Sequence, residues 1–277
     1  MALTEEEVLG IEAKAREVRA SIIRMLATAK SGHTAGPLGM ADIFSTLYFH
    51  TLVHRPGEPE WEGRDRVVLS NGHIVPVRYA TMAHAGYFPV EEAETTLRKL
   101  GSRFQGHPER EKLPGMETTS GPLGSGVSQA AGMAYALRMD GKKNRIYCLT
   151  SDGEHQEGNT WEGIMFAGKY RLANLTQIID RNFIQIEGNT EDIMPLEPLA
   201  DKYKAFNWHV IEIDGHNIRQ IHEAIEQAKA VADMPTLILA NTIPGKGVKE
   251  IEGDYKWHGK PPTPEEAERF IKEILSV

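Results

Sequence analysis

Short apolar runs rich in β-branched residues alternate with amphipathic helical patterns along the chain, and this alternation most constrains the fold. The runs span residues 66–69, 146–150, 175–179, 209–213 and 236–240. Strands that alternate with helices at this spacing form βαβ units, whose parallel sheet is covered by helices on both faces. The sequence therefore predicts an α/β fold with a doubly wound, mostly parallel sheet.

Helices are predicted where apolar residues recur at helical spacing between these runs. The first begins at Thr4, whose spacing to Glu7 is that of a capping box, and it ends near Gly32. Further helices are predicted at 40–52, 127–139, 159–170, 196–206, 218–232 and 264–275. Neither a repeat nor a linker interrupts the pattern, so residues 1–277 are expected to form a single domain.

Composition excludes several classes of protein. Apolar residues make up 40% and charged residues 25% of the chain, which is typical of a globular domain and not of a disordered segment. No apolar run approaches the roughly 20 residues that span a bilayer, and the N-terminus is acidic, unlike a signal peptide. The single Cys148 excludes an intramolecular disulfide. We therefore expect a cytoplasmic protein without a membrane partner.

Net charge limits which ligands the surface attracts. The 31 basic residues are outnumbered by 39 acidic ones, a net charge of −8, and no basic block indicates a nucleic-acid partner. A phosphate ligand would depend on backbone N–H groups, helix N-termini or a divalent metal. Such a ligand binds beyond the carboxyl ends of parallel strands, here residues 70–73, 151–157, 181–188, 214–217 and 241–248.

Two polar residues directly follow neighbouring predicted strands. Asp152 comes after the second apolar run and Asn182 after the third, so adjacent strand ends could point side-chain oxygens at one cation. Magnesium suits such a set, because it prefers oxygen ligands and completes its shell with diphosphate oxygens and water. Helix capping by Asp152 and a turn at Asn182 would explain the same residues, so both interpretations stay open.

Histidines supply a second signal. Four of them lie in glycine-flanked polar turns, namely His33, His73, His107 and His258. Because the pKa of histidine is near working pH, these turns favour neutral proton donors and acceptors at an active site over solvated surface residues. His50 and His54 lie one helical turn apart but lack the glutamate of a zinc protease, so we interpret them as a structural or partner-facing pair.

Short sequence blocks contain the four turn histidines, Asp152 and Asn182, and occur in a fixed order along almost the whole chain. They are KSGH at 30–33, LSNGH at 69–73, GHPE at 106–109, GPLGSG at 121–126, SDGE at 151–154, QEG at 156–158, DRN at 180–182, GKGV at 245–248 and WHG at 257–259. Taken together, these blocks resemble the transketolase family, specifically its N-terminal, diphosphate-binding half. Each block alone is a weak signal, but their common order makes the resemblance specific.

The resemblance implies thiamine diphosphate as the cofactor, bound through Mg²⁺ or another divalent cation such as Ca²⁺ or Mn²⁺. Its implied metal ligands are Asp152, Asn182 and the main-chain carbonyl of Ile184. The other cofactor-binding residues that it implies are His73, Gly153 and His258 at the diphosphate, Gly121 and Leu123 at the rings, and Glu157. The implied catalytic residues are His33, His73, His107 and His258, most of them through hydrogen bonds to substrate hydroxyls.

Three further residues carry expectations from the same resemblance. Glu157 and Glu162 are similar to a carboxylate network that links two active sites across a dimer, although Glu157 also fits a carboxylate in the first turn of a helix. Ser151 stands where the family usually has glycine. A serine is small enough to fit there, so we expect cofactor binding to survive with changed affinity.

The resemblance also implies that a full transketolase has two more domains than this chain. One binds the pyrimidine ring of the cofactor and supplies a glutamate, and the other is C-terminal. We expect both on a separate C-terminal subunit, in a heterotetramer of two plus two chains. This chain would then be the N-terminal subunit of a split transketolase.

The implied activity is transfer of a two-carbon ketol unit from a ketose or ketose phosphate to an aldose, in pentose phosphate or related carbohydrate metabolism, and only with the partner subunit. One alternative is a split enzyme for an unusual sugar, or one that resembles deoxyxylulose-phosphate synthase. A second alternative is a cofactor-binding interaction subunit without chemistry of its own.

Overall fold

A computed structural model describes residues 2–276 and contains a five-stranded parallel sheet. Its strands are β1 (Arg66–Leu69), β2 (Ile146–Ser151), β3 (Leu175–Arg181), β6 (His209–Asp214) and β7 (Thr236–Asn241), in the spatial order β1-β2-β3-β7-β6. A small antiparallel hairpin pairs β4 (Ile184–Gln185) with β5 (Gly188–Asn189). All five predicted strands are confirmed, and each of the last four extends by one or two residues.

The helices surround this sheet. They are α1 (Glu5–Ala29), α2 (Ala35–Gly39), α3 (Ala41–Thr46), α4 (Val75–His84), α5 (Val90–Thr96), α6 (Ser125–Met139), α7 (Gly158–Lys169), α8 (Thr190–Ile193), α9 (Leu199–Ala205), α10 (Ile218–Ala230) and α11 (Pro264–Leu275). The predicted capping box of α1 is present, with Glu7 N donating to Thr4 Oγ1 and Thr4 N donating to Glu7. These two bonds satisfy N–H groups that have no partner within the helix.

Alternate residues of each strand enter two separate cores. On β2, Tyr147 and Leu149 pack with α1, α4, α10 and α11, whereas Ile146 and Cys148 pack with α6, α7 and α9. This division follows from the two-residue repeat of a strand, which points successive side chains to opposite faces. The predicted α/β fold with helices on both faces is therefore confirmed, and Cys148 is buried in the second core.

The predicted helix at 40–52 is confirmed as α3, which continues directly into a π-helical turn at Leu47–Thr51. A break at Met40 separates it from the short helix α2. Close packing accompanies the break, because a Cβ on Gly39 would lie 3.1 Å from the carbonyl oxygen of Ile243. Helix α4 was not predicted, since nine of its ten residues are buried and it has no polar face to produce a helical period.

No helix within residues 2–276 combines the length and apolar character needed to cross a membrane. The two histidines predicted to act as a pair have different neighbours. His50 packs against the ring of His222, with ring centroids 4.9 Å apart, and His54 lies within hydrogen-bond distance of the hydroxyl of Tyr87 and the carbonyl of Tyr48. Both contacts are structural and lie within this chain.

Candidate active site

A cleft of about 750 Å³ opens at the carboxyl edge of the sheet, and we call it the histidine cleft. The segments that follow β1, β2 and β3 border it, as the rule for parallel sheets predicts. The predicted segments after β6 and β7 do not line it, and His216 after β6 instead bonds Asp42, with 2.7 Å between Nδ1 and Oδ2. The predicted site residues that line the cleft are His33, His73, Leu123, Gly153, Glu157, Asn182, Ile184 and His258.

Three of the predicted histidines form a cluster in this cleft. The ring centroid of His33 lies 4.8 Å from that of His73 and 5.5 Å from that of His258, and His73 and His258 are 5.3 Å apart. Within residues 2–276, the buried Nδ1 of His33 has no hydrogen-bond partner. A buried polar atom without a partner is costly, so this nitrogen is available to a ligand.

Burial keeps these imidazoles neutral at neutral pH. Desolvation, together with the charges of His258, Arg98 and His107, lowers the pKa of His33 to about 4. Desolvation also lowers the pKa of His73 and of His258, with Glu187 opposing the shift at His258. Neutral histidines both donate and accept hydrogen bonds, as contacts to sugar hydroxyls require.

Three predicted residues lie beside the cleft and not on its wall. His107 is exposed, and a Cβ placed on Gly121 would lie 3.8 Å from its Cδ2, so these two residues are neighbours. Asp152 is fully buried between Ser151 and Gly153, both of which line the cleft. The structure therefore brings the sequence-predicted residues to one edge of the sheet.

Asp152 and Asn182 both bond the turn that follows β3. The carboxylate Oδ2 of Asp152 accepts from the backbone N–H of Phe183 (2.7 Å) and from Arg181 Nη1 (3.0 Å). Its Oδ1 accepts from the N–H of Gly153 (2.7 Å), which is the capping role, and Asn182 Oδ1 accepts from the N–H of Ile184 (3.0 Å), which is the turn role. The local roles are thus observed, and metal binding stays a prediction.

The charges around this turn fit a divalent cation. Burial raises the pKa of Asp152 to about 6 and that of Asp180 to about 7, and the nearby Asp152 charge contributes to the second shift. Arg181 is the cation paired with Asp152, and it also bonds Glu191 and Glu197. A bound Mg²⁺ would favour the ionised carboxylates, and Asp152, Asn182 and the carbonyl of Ile184 would supply the oxygen ligands it prefers.

A second kind of metal site, made only of His, Cys, Asp or Glu side chains, is not found among the described residues. Within residues 2–276, no group of three or more His, Cys, Asp or Glu side chains is placed to hold a metal ion. The histidine cluster is therefore better suited to a polar organic ligand than to zinc.

Glu154 is a site residue that sequence reasoning did not single out. Its carboxylate accepts from the N–H of Gly124 (2.7 Å), from the hydroxyl of Ser70 and from the N–H of Ser151 (3.0 Å). Burial raises its pKa to about 7. Glu154 thus links three loops of the cleft through its hydrogen bonds to Ser70, Gly124 and Ser151. Its position in the SDGE block after a buried strand was the signal that could have found it.

The departure at position 151 is accommodated. Ser151 is nearly buried and lines the cleft, and its backbone carbonyl accepts from His155 Nδ1 at 2.8 Å. Glu157 and Glu162 are both exposed, at the N-cap and on the surface of α7. Their predicted role between two active sites needs a second protein chain and stays a prediction.

Comparisons with known proteins define the class. A family described as "Transketolase, thiamine diphosphate binding domain" matches residues 12–275. The fold resembles transketolase from Leishmania mexicana, with a TM-score of 0.91 and 33% identity over 95% of this chain and 41% of that one. Transketolase from Campylobacter jejuni gives 0.87 and 36% over 95% and 42%. The chain belongs to the transketolase family and corresponds to its thiamine diphosphate-binding domain.

Two curated relatives match over nearly their whole length. The chain is 41% identical to the 6-deoxy-6-sulfo-D-fructose transketolase subunit SqwG of Clostridium sp. (strain MSTE9), over 97% of this chain and 98% of the relative. It is 37% identical to one subunit of the apulose-4-phosphate transketolase of Phocaeicola vulgatus, over 97% and 95%. Against human transketolase it is 38% identical over 98% of this chain but only 43% of the relative. The names of the first two imply a separate partner subunit.

Proposed function

We propose that this chain is the N-terminal subunit of a split transketolase, which transfers a two-carbon ketol unit from a ketose or ketose phosphate to an aldose. The observation that carries the proposal is the histidine cleft, in which neutral histidines lie next to buried carboxylates at the ends of neighbouring strands. Residues 1–277 then form one domain that binds the diphosphate end of the cofactor. The cytoplasmic location stays a prediction.

The carboxyl edge of the sheet would hold the cofactor and its metal. Asp152, Asn182 and the carbonyl of Ile184 would bind Mg²⁺, and Ca²⁺ or Mn²⁺ offers the same charge. Thiamine diphosphate, when bound, supplies the thiazolium that stabilises the two-carbon unit as a carbanion. The residues of this chain that would contact it are His73, Gly121, Leu123, Gly153, Glu157 and His258.

The histidines would act on the sugar. His33, His107 and His258 would bond the substrate hydroxyls and move protons at them, because their depressed pKa values leave ring nitrogens free to accept. The buried Nδ1 of His33 supports this role, since residues 2–276 provide no partner for it. His73 lies next to two of these histidines, with its ring centroid 4.8 Å from that of His33 and 5.3 Å from that of His258.

A second chain would complete the enzyme. The supporting observation is that relatives matched over nearly their full length are named as subunits, whereas the chain spans about two-fifths of the solved transketolases. The partner would supply the pyrimidine-binding and C-terminal domains, and two copies of each chain would form a heterotetramer. Glu157 and Glu162 would meet another chain at α7, and their exposure supports this proposal.

An unusual sugar is the favoured substrate class. Two relatives matched over nearly their full length are named for 6-deoxy-6-sulfo-D-fructose and for apulose-4-phosphate. Both names denote a sugar that carries an anionic sulfo or phosphate group. We therefore propose a ketose with such an anionic group as donor.

The test is reconstitution. The chain would be purified with the product of the neighbouring reading frame, and ketol transfer would be measured with thiamine diphosphate and Mg²⁺ against a panel of ketose phosphates and sulfonates. We expect turnover only when both chains are present. Calorimetry with thiamine diphosphate should show binding that depends on Mg²⁺.

Matched variants give the result a control. Asp152→Ala should weaken cofactor binding at least about 100-fold, because it removes the carboxylate ligand of the metal. Asp233→Ala removes an exposed carboxylate at the opposite edge of the sheet and should leave binding unchanged. Binding that ignores Mg²⁺ and survives Asp152→Ala contradicts the proposal, and binding without turnover in the presence of the partner favours a non-catalytic subunit.

A further inference from the structure

Arg98 lies between the two loops that carry His33 and His107. Its Nη1 donates to Ser31 Oγ at 3.0 Å, and its Nη2 donates to the carbonyl of Gly106 at 3.5 Å. Each contact is one or two residues away from a histidine of the site. The guanidinium therefore spans two segments that are more than 70 residues apart in sequence.

The side chain of Arg98 packs closely against two glycines. Its backbone φ is +60°, in the left-handed region that most side chains avoid. A Cβ on Gly106 would lie 2.7 Å from its Cζ, and a Cβ on Gly32 would lie 3.8 Å from its Nε. The guanidinium is thus wedged against two glycines, and a histidine follows each of them directly in the sequence.

The charge of Arg98 acts on the same two histidines. No carboxylate within residues 2–276 lies within ion-pair distance of its guanidinium, so the charge is not neutralised locally. Desolvation and then Arg98 lower the pKa of His107. Burial lowers the pKa of His33, and the charges of His258, Arg98 and His107 act in the same direction.

We propose that Arg98 is a positioning residue, which sets the distance and orientation between the loops of His33 and His107. This inference rests on the proposed function, in which those histidines bond the sugar. Arg98 does not line the histidine cleft, so it acts on the substrate through the two imidazoles. Loss of the two guanidinium hydrogen bonds, to Ser31 and Gly106, should let the loops separate. Loss of the positive charge should let both imidazoles protonate more easily.

The experiment uses two substitutions in the complete chain and a matched control. Arg98→Met removes both guanidinium hydrogen bonds and the positive charge, and Arg98→Lys keeps the charge without the two-pronged guanidinium. Arg103→Met removes another half-buried arginine of the same segment, one that pairs with Glu92 and has no contact with either Gly-His pair. His33→Gln and His107→Gln assign the two histidine resonances.

The first readout is histidine titration by NMR, which needs neither cofactor nor partner. We expect Arg98→Met to shift the resonances of His33 and His107 and to raise the midpoint of each titration, by on the order of half a pH unit. Arg98→Lys should shift the resonances but largely keep the midpoints. Arg103→Met should change neither. Unchanged resonances and midpoints in Arg98→Met would overturn the inference.

The second readout is kinetic, with the partner subunit present. Arg98→Met should lower kcat/KM for the sugar about 10- to 100-fold through misplaced contacts, while the affinity for thiamine diphosphate changes less than about threefold. Arg98→Lys should recover part of the loss. Equal losses in sugar and cofactor affinity would mean a merely structural role. If the wild-type pair has no activity, the proposed function fails, whereas the titration still decides the role of Arg98.

Discussion

The two edges of the central sheet differ in the sign of their predominant charge and in how deeply that charge is buried. At the carboxyl edge, Asp152, Glu154 and Asp180 are almost completely buried, and burial raises the pKa of each. At the amino edge lies a groove of about 1270 Å³, which we call the basic groove. Its cations are all at least partly exposed, namely Arg138, Lys142, Lys143, Arg145, Arg171 and Lys229.

Helix direction explains the basic groove but not the buried carboxylates. In βαβ units the helices end at the amino edge, where their free carbonyl groups attract cations. Arg138 Nη1 donates to the carbonyl of Arg171 (3.4 Å) after α7, and Arg145 Nη2 donates to that of Lys229 (2.6 Å) at the end of α10. At the carboxyl edge, helix N-termini would equally attract exposed carboxylates. Burying those carboxylates, however, destabilises the fold. The difference indicates that the carboxyl edge is built for a ligand.

The largest expected difference is between two arginines, one from each edge. Arg181→Met leaves the buried Asp152 without its cation and should lower the free energy of unfolding by about 3–5 kcal/mol. Arg145→Met removes bonds to main-chain carbonyls at a half-buried position and should cost only about 1–2 kcal/mol. Urea unfolding of both variants checks this, and equal losses would contradict the comparison.

Burial at the carboxyl edge also predicts a pH dependence. His155 is buried in the segment that follows β2, and desolvation lowers its pKa to about 4 from 6.5. The unfolded chain therefore binds a proton at this residue that the folded chain does not, so the contribution of His155 to stability falls as pH drops from 6.5 towards 4. The raised pKa values of Asp152, Glu154 and Asp180 act in the opposite direction. The contribution of His155 is at most about 3 kcal/mol.

His155→Gln isolates that contribution. Urea unfolding would be measured at several pH values between 4 and 7 for the wild type and the variant. On acidification from pH 7 to 4, the free energy of unfolding of the variant should rise relative to that of the wild type, because the variant lacks the unfavourable protonation of His155. Parallel curves would show that His155 is not a buried neutral histidine.

Two glycines with positive φ provide a third test. Gly124 (φ +80°) starts α6 at the carboxyl edge, and a Cβ there would overlap Oδ1 of Asn159. Gly141 (φ +65°) lies at the amino edge with nothing within 4 Å. Gly141→Ala should cost about 1 kcal/mol from backbone strain alone, and Gly124→Ala about 2–3 kcal/mol. Thermal unfolding distinguishes them, and similar shifts in Tm would mean that the space at Gly124 is not needed.

The smallest effect is expected in the basic groove. Lys143 is exposed, and Lys143→Gln should change the free energy of unfolding by less than about 0.5 kcal/mol. It should also leave the affinity for thiamine diphosphate unchanged, because the groove lies at the edge opposite the histidine cleft. Chemical unfolding and calorimetry measure the two quantities. A weaker affinity would show that the two edges are coupled.

Much of the fold and the general place of the site were predictable from local signals. The capping box at Thr4, the five strands and the helix at 264–275 follow from spacing that a few neighbouring residues determine. The site could be placed because polar segments that follow parallel strands necessarily meet at one edge. The resemblance to transketolases then gave roles to individual residues such as Asp152.

Other features depended on contacts between distant segments. Helix α4 is hidden from periodicity because it is buried on every side. Glu154 and Asp180 look like ordinary loop carboxylates in the sequence, and only the fold shows that they are buried. The same is true of Arg98, which resembles any surface arginine until Gly32 and Gly106 close around it.

The sequence by itself determined the five strands, the long helices α1, α6, α7, α10 and α11, their order, and the sheet edge at which the chemistry lies. Hydrophobic periodicity, from which these follow, is a local property. Only the tertiary structure decided which polar groups lose water and which charges they then face. Desolvation and charge depend on atoms brought together from across the chain, and these contacts lower the pKa of His33 and raise that of Asp180.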